Sequence, residues 1–188
     1  MAKAREIPGL TTDLAYGEVA ARVLEVRCEE LIEHSENVLD LDDIERVHAM
    51  RVATRRLRAA IEIFRPCFPK GEGKRALEEV KALADALGER RDRDVAIDAL
   101  EGFAAAIAAP DRPGIRSLAD RFRAEQQQAN AELERFVEPA RLAEISAQVG
   151  GLAAAAREAA ELDPAADEAE REASALGLHA GPAGEADE

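Results

Sequence analysis

Apolar and polar residues follow a helical period along most of the chain. Between residues 46 and 68 the sequence RVHAMRVATRRLRAAIEIFRPCF, at about 100° per residue, separates into an apolar face and a basic face. No stretch alternates with a period of two for long enough to indicate a strand. The pattern predicts an all-α protein, an antiparallel bundle of about five to six helices. The apolar face of this segment contains Met50, Ala53, Leu57, Ala60, Ile61 and Phe64.

Capping and helix-breaking residues set the expected boundaries. Asp42 or Asp43 can cap the second helix, Gly88 is suited to end the third, and Asp92 can cap a fourth. The predicted helices are 12–37, 43–65, 74–87, 92–109, 115–137 and 139–162, the last interrupted at glycines 150–151. In the fourth helix we expect Val95, Leu100 and Phe103 to face inward, and in the fifth we expect the polar sequence EQQQAN to be solvated.

These elements predict four regions of the chain. Residues 1–11, with a proline and a glycine, are expected to form a flexible leader, and 12–137 a helical bundle. Residues 138–162 are expected to form an accessory alanine-rich helix. Residues 163–188 are acidic and poor in large apolar groups, so burial cannot offset their ordering entropy and we expect a disordered tail.

Charge is distributed unevenly along the sequence. The formal net charge is −14, which argues against a general nucleic-acid binder. From residue 46 to residue 93, however, thirteen Lys and Arg face seven Asp and Glu, a balance of +6. The remaining residues hold twelve basic and thirty-two acidic side chains, a balance of −20. A local positive site in an acidic protein predicts a specific anion as the partner.

Other features narrow the class of protein. Cys28 and Cys67 do not form a disulfide framework or a metal-ligand pattern, and no cofactor motif such as a Gly-rich phosphate loop is present. No apolar run approaches the ~18 residues of a membrane span, and the N-terminal sequence lacks an apolar signal core. We therefore expect a cytoplasmic protein without a membrane contact.

The basic face of the second helix is the candidate binding site. His48, Arg51, Arg55 and Arg58 share one stripe, and the three arginines span about 10 Å. Like charges at i,i+4 repel by a few tenths of a kcal/mol. Positions 47, 54 and 59 offer these arginines no carboxylate partner, although Glu62 lies one turn beyond Arg58. Guanidinium groups bind phosphate oxygens bidentately and keep their charge.

Several further cations could flank this stripe. Arg56 lies off the stripe and could face a second groove or a carboxylate. Lys74 and Lys81 share one face of the third helix, and Lys81 would line the same groove if the second and third helices pack antiparallel. Arg90 and Arg91 precede the predicted fourth helix, where the helix dipole attracts anions. The alternative for each cation is an ordinary solvated or ion-paired side chain.

Two motifs resemble a known family. VHAMRVATRRLRAAIEIF, followed some twenty residues later by LADALGERRDRDVAIDAL, is similar to the CHAD domain, the conserved histidine α-helical domain. The strong resemblance covers roughly residues 40–105. It implies a helical bundle that binds inorganic polyphosphate in a basic groove, is associated with polyphosphate granules, and is not a catalyst.

The chain departs from the family pattern after Phe136. Family members usually carry two related halves, and no second His/Arg/Lys-rich helix follows here. Three explanations stay open: two chains pair to rebuild the groove, binding is weak, or the chain is a truncated relative. A homodimer is the preferred expectation, because pairing would cover apolar faces of the second and third helices.

Two other functions are compatible with the sequence. A metal-dependent phosphohydrolase of polyphosphate or nucleotides would need clustered carboxylates beside the stripe, and Asp92 and Asp94 are the nearest acids in the sequence. A helical scaffold could instead use the arginines to bind an acidic protein partner, or the acidic tail of its own chain.

Overall fold

The computed structural model describes residues 4–162, and the all-α prediction is confirmed. Among these residues there are five α-helices and no β-strand. Short 3-10 turns precede α3 and α4, at Arg65–Cys67 and Ala109–Asp111. The helices are α1 Tyr16–Glu33, α2 Ile44–Ile63, α3 Glu72–Ala106, α4 Arg112–Val137 and α5 Pro139–Leu162.

All five helices contribute side chains to one core, α4 through Leu133 near its C-terminus. α1 packs against α2 and α5, α2 also packs against the first half of α3, and α5 closes the bundle. The side chains that fill it are aliphatic or small, as the composition predicts, and almost all of the largest are inaccessible to solvent. They include Leu24, Leu31, Met50, Leu57, Ile61, Leu83, Leu87, Leu133 and Leu152.

α1 and α5 approach each other closely at one end of the bundle. A Cβ added to Gly17 would stand 2.1 Å from the carbonyl oxygen of Ala156 and 2.9 Å from the Cβ of Ala160, so only glycine fits this crossing. Arg157 holds the same pair of helices together, since its guanidinium donates to Glu18 at 2.7 Å and to Glu25 at 2.7 and 2.9 Å.

α3 is one continuous helix of 35 residues, so the predicted break between a third and a fourth helix is wrong. Gly88 and Asp92 lie within it and neither ends nor caps a helix. A glycine inside a helix costs about 1 kcal/mol. Here the buried stripe continues in phase through Leu83, Leu87 and Ile97 and packs on α4, which outweighs that cost.

The second half of α3 extends beyond α2. Arg91 contacts the first turn of α2, so no residue of α2 lies beside the part of α3 that follows. This part pairs with α4, and the two segments 92–106 and 112–126 form a helical arm. Val95 and Phe103 are 51% and 55% exposed, and the prediction that they face inward is wrong for this reason.

The remaining boundaries differ from the expectations in detail. α1 begins at Tyr16 without a side-chain cap and ends at Glu33, and α5 runs through its two glycines without interruption. Asp43 caps α2 as predicted, accepting a hydrogen bond from the backbone N–H of Glu45 at 3.3 Å. The expected disordered tail, 163–188, lies outside the described residues. Within residues 4–162 no helix combines the length and apolar character needed to cross a membrane.

Candidate functional site

The two faces of α2 are separated in the structure as the sequence pattern predicts. Met50, Ala53 and Leu57 are fully buried between α1 and α3, and they fix the rotation of the helix about its axis. This rotation leaves Arg51, Arg55 and Arg58 exposed on one face. A regular helix then holds the three guanidinium groups in one row of about 10 Å.

The row is almost free of acidic partners. Neither Arg51 nor Arg55 makes a hydrogen bond or ion pair with any residue of the described chain. Arg58 binds Glu62 at 3.0 Å, with both side chains 44% exposed. Such a surface pair contributes about 0–1 kcal/mol, so a polyanion can displace Glu62 from Arg58 at little cost.

The row borders the groove between α2 and α3. Arg56 and the stripe lie on opposite edges of the buried face of α2, and Arg56 contacts Glu30 of α1 at 3.6 Å. The stripe therefore lies on the edge of α2 that faces α3. The two helices are antiparallel: α2 ends at Ile63 shortly before α3 begins at Glu72, and Arg91, further along α3, donates to the carbonyl oxygen of Ile44 at the start of α2, at 3.0 Å.

This register places Lys81 near the middle of the stripe. Lys81 precedes Arg91 by ten residues, and Thr54 follows Ile44 by ten, so Lys81 lies level with Thr54 and Arg55. Lys81 and His48 are partly exposed, and neither has a polar partner in the part of the chain that the structure describes. The antiparallel packing on which the placement of Lys81 depended is therefore present.

Arg56 has a different role from its neighbours. Its partner Glu30 has a side chain that is 4% exposed and also accepts hydrogen bonds from Arg27 and from the backbone N–H of Arg5, both at 2.6 Å. Burial alone would raise the pKa of Glu30, but these hydrogen bonds and the positive charges of Arg27 and Arg56 outweigh burial and lower it. Arg56 was expected to face either a second groove or a carboxylate, and the structure shows the carboxylate of Glu30.

Arg90 lies outside the exposed stripe. It is fully buried within α3 and forms an ion pair with Asp94 at 3.1 Å. The expected helix start beside Arg90 and Arg91 is absent, because α3 is continuous there, so the helix-dipole argument for these two residues is wrong. Arg91 is partly buried and contacts Glu45 at 3.4 Å.

Gln126 and Asn130 of α4 complete a buried polar network around Arg90. Gln126 donates to Asp94 at 2.7 Å, Arg90 donates to Asn130 at 3.2 Å, and Asn130 donates to the carbonyl oxygen of Leu39 at 3.0 Å. Gln126 is 8% exposed, so the expectation of a solvated EQQQAN sequence is wrong at this position. The sequence contains a signal for this burial, since residues 126 and 130 lie on the same helical stripe as the buried Ala119 and Leu133.

Burial dominates the electrostatics of this network. Removal from water lowers the pKa of Arg90, although the charge of Asp94 opposes the change. Burial likewise raises the pKa of Asp94, although the hydrogen bond from Gln126 and the charge of Arg90 oppose it. Arg90 Nη2 and Asp94 Oδ2 are buried without a hydrogen-bond partner among the described atoms. The network therefore fixes α3 against α4 and presents no charge to solvent.

Further cations lie where α2 turns into α3. Lys74 forms only a loose ion pair with Glu78, at 3.8 Å, and both side chains are largely exposed. Arg65, Lys70 and Arg75 are exposed and have no acidic partner within residues 4–162. These three residues lie outside the basic stripe of α2, so the helical pattern does not identify them. They add positive charge at the end of the bundle where α2 turns into α3.

The comparison with protein families agrees with the two motifs. The CHAD domain model matches residues 22–188, which is most of the chain and more than the strong resemblance over 40–105. The chain belongs to the CHAD domain family. A comparison with curated proteins found no match.

Proposed function

We propose that the protein binds inorganic polyphosphate along the α2 stripe and does not act as a catalyst. Membership of the CHAD family supports polyphosphate as the ligand class. The observation that carries the proposal is the row of exposed arginines on one rigid helix, of which Arg51 and Arg55 have no acidic partner in the described chain. A linear chain of phosphates lying along this row would meet successive guanidinium groups without displacing buried ion pairs.

Within this proposal the cations have separate roles. Arg51, Arg55 and Arg58 make the main contacts, and His48 and Lys81 contact the ligand from the two sides of the groove. Lys74 and Arg91 lie at the ends of the groove, where Arg91 is partly held by its contact with α2. Arg56 and Arg90 act indirectly, because their partners Glu30 and Asp94 tie α2 to α1 and α3 to α4.

The first test is replacement of Arg55 by Glu. We expect polyphosphate to bind more than tenfold more weakly to Arg55→Glu, because the change removes a contact and adds a repulsive charge in the middle of the row. Binding should be measured by titration calorimetry, with circular dichroism to check the fold. Arg121→Glu is the matched control, since it makes the same charge change on α4 at a side chain that is 77% exposed.

Two results of this experiment would contradict the proposal. One is an unchanged affinity of Arg55→Glu, and the other is an equal loss in Arg121→Glu, which would indicate a response to net charge alone. A salt series adds an independent measure. By analogy with single-stranded nucleic acid, the logarithm of the binding constant should fall with the logarithm of salt concentration with a slope of about −0.7 per phosphate contacted.

The non-catalytic part of the proposal is supported by the position of one of the two candidate acids, since Asp92 is exposed on α3 but Asp94 is withdrawn from solvent. Of the two acids that suggested a phosphohydrolase, Asp94 is buried against Arg90, and it points into the α3–α4 contact and away from the groove. Phosphate release from polyphosphate in the presence of Mg²⁺ or Mn²⁺ would overturn this part. Cytoplasmic location and association with polyphosphate granules belong to the same proposal. A fluorescent fusion that stays diffuse in cells containing granules would contradict the association.

A further inference from the structure

The described chain ends beside the cationic surface. Near the C-terminus of α5, Ala160 packs on Gly17 at the start of α1. The preceding residue, Tyr16, packs with its ring tilted against Phe64 at the end of α2, with ring centroids 5.3 Å apart. Arg65 follows Phe64 directly, and α5 also contacts the 3-10 turn that Arg65 begins. The C-terminus of α5 at Leu162 therefore lies at the end of the bundle where the positive surface begins.

Unpaired cations lead from this end along the groove. Arg65, Lys70 and Arg75 surround the turn between α2 and α3, and Arg55 and Arg51 continue along α2. None of the five forms an ion pair with a residue between 4 and 162. From Phe64 to Arg51 the helix rises about 20 Å, at 1.5 Å per residue.

The segment 163–188 has the charge and the length to cover this surface. It contains eight acidic residues and one basic residue, a balance of −7 in 26 residues. Even as a continuous helix it would measure about 39 Å, and an extended chain would be longer. Either length exceeds the ~20 Å between the end of α2 and Arg51.

We propose that the acidic segment 163–188 binds the cationic surface of its own chain and competes there with polyphosphate. The competition with polyphosphate rests on the proposed function. Because the segment is tethered at the edge of the surface, its effective concentration is in the millimolar range, and weak charge pairing is enough for occupancy. A short polyanion then meets an occupied surface, whereas a long one presents more charges and displaces the segment. Salt screens both interactions.

The first experiment compares the full chain with a chain that ends at Leu162. Titration with short polyphosphate at 50 mM salt is expected to give three- to tenfold tighter binding for the shorter chain. At 500 mM salt the difference should fall below twofold, because screening releases the segment. Equal affinities at 50 mM salt would overturn the proposal and leave polyphosphate binding intact. If neither chain binds polyphosphate, the proposed function itself has failed.

A second variant separates docking from the total charge of the protein. Four neutral substitutions in the full chain raise the net charge by four and should reproduce the effect of truncation; they are Asp167→Asn, Glu168→Gln, Glu170→Gln and Glu172→Gln. The control makes the same charge change at exposed acids elsewhere, with Asp98→Asn, Asp111→Asn, Glu134→Gln and Glu138→Gln. An equal gain in affinity for the control would overturn the proposal in favour of a general charge effect.

A measurement without polyphosphate tests docking directly. Nuclear magnetic resonance signals of the Arg51 and Arg55 guanidinium groups should shift when residues 163–188 are removed, and the shift should disappear at high salt. Unchanged signals would overturn docking whatever the affinity for polyphosphate. A shift that depends on protein concentration would assign the docked segment to a second copy of the chain and overturn the intrachain form.

Discussion

Two arginines that each begin an Arg-Arg-x-Arg sequence occupy opposite environments in this protein. Arg55 is exposed and unpaired in the described chain, whereas Arg90 is inaccessible to solvent. Burial of a charged group costs several kcal/mol and is tolerated only with a well-placed partner and additional hydrogen bonds. Asp94, Gln126 and Asn130 provide these for Arg90. Exposure, and not residue type, therefore separates an arginine that is accessible to a ligand from a structural one here.

The buried pair predicts a large stability effect for one carboxylate. Asp94→Ala should lower the free energy of unfolding by about 3–5 kcal/mol, because it leaves the charge of Arg90 buried without a counter-charge. Asp98→Ala, at an exposed position one turn later on α3, should change it by no more than about 0.5 kcal/mol. Urea unfolding followed by circular dichroism measures both. Similar values for the two variants would show that Asp94 does not compensate Arg90.

At the scale of the helices, local patterns predicted α2 correctly. Its apolar face is set by residues within the same helix, such as Met50 and Leu57, and its Asp43 cap contacts a residue two positions away. The exposed stripe follows from the same periodicity, because the residues opposite a buried face must meet solvent. The candidate site on α2 could therefore be predicted from the sequence alone.

α3 was predicted less well because distant contacts decide its structure. Gly88 and Asp92 are local signals for a helix end and a helix start, but packing on α4 keeps the helix continuous. The partners of Asp94 and Arg90 lie 32 and 40 residues away, so no local pattern identifies Arg90 as buried. The exposure of Phe103 depends on where α2 begins beside α3. The local pattern does not contain this information, so it predicts burial wrongly.

Continuity of α3 predicts the sign of a glycine substitution. Gly88→Ala should stabilise the protein by about 0.5–1 kcal/mol, because Gly88 is helical and a Cβ there would meet no atom within 4 Å other than its own local helix backbone. Gly71→Ala should destabilise it, since φ is +98° at that position. Thermal unfolding of both variants checks the pair. A loss of stability in Gly88→Ala would favour two helices separated by a glycine turn, as first predicted.

The whole molecule combines a bundle that is complete in one chain with an arm that is partly uncovered. The apolar faces of α2 and α3 within the bundle are buried, with Met50, Leu57 and Leu83 at 0% exposure. The original reason for expecting a homodimer, poor cover of these faces, is therefore wrong. The arm supplies a different reason, because Val95 and Phe103, about two turns apart, are both exposed where α3 has passed the start of α2.

We predict that the chain self-associates through this arm and that Phe103→Lys weakens the association. A 35-residue helix measures about 52 Å and α2 about 30 Å, so the arm extends well past the bundle and a second arm can pack on it. Light scattering at tens of micromolar should give a mass above the 20.3 kDa of one chain for the wild type and close to 20.3 kDa for Phe103→Lys. Ile63→Lys is the matched control, because Ile63 is 60% exposed but lies at the opposite end of α2 from the arm. A wild-type mass of 20.3 kDa at 100 micromolar would contradict the prediction, and tight polyphosphate binding by such a monomer would show that one chain forms the complete groove.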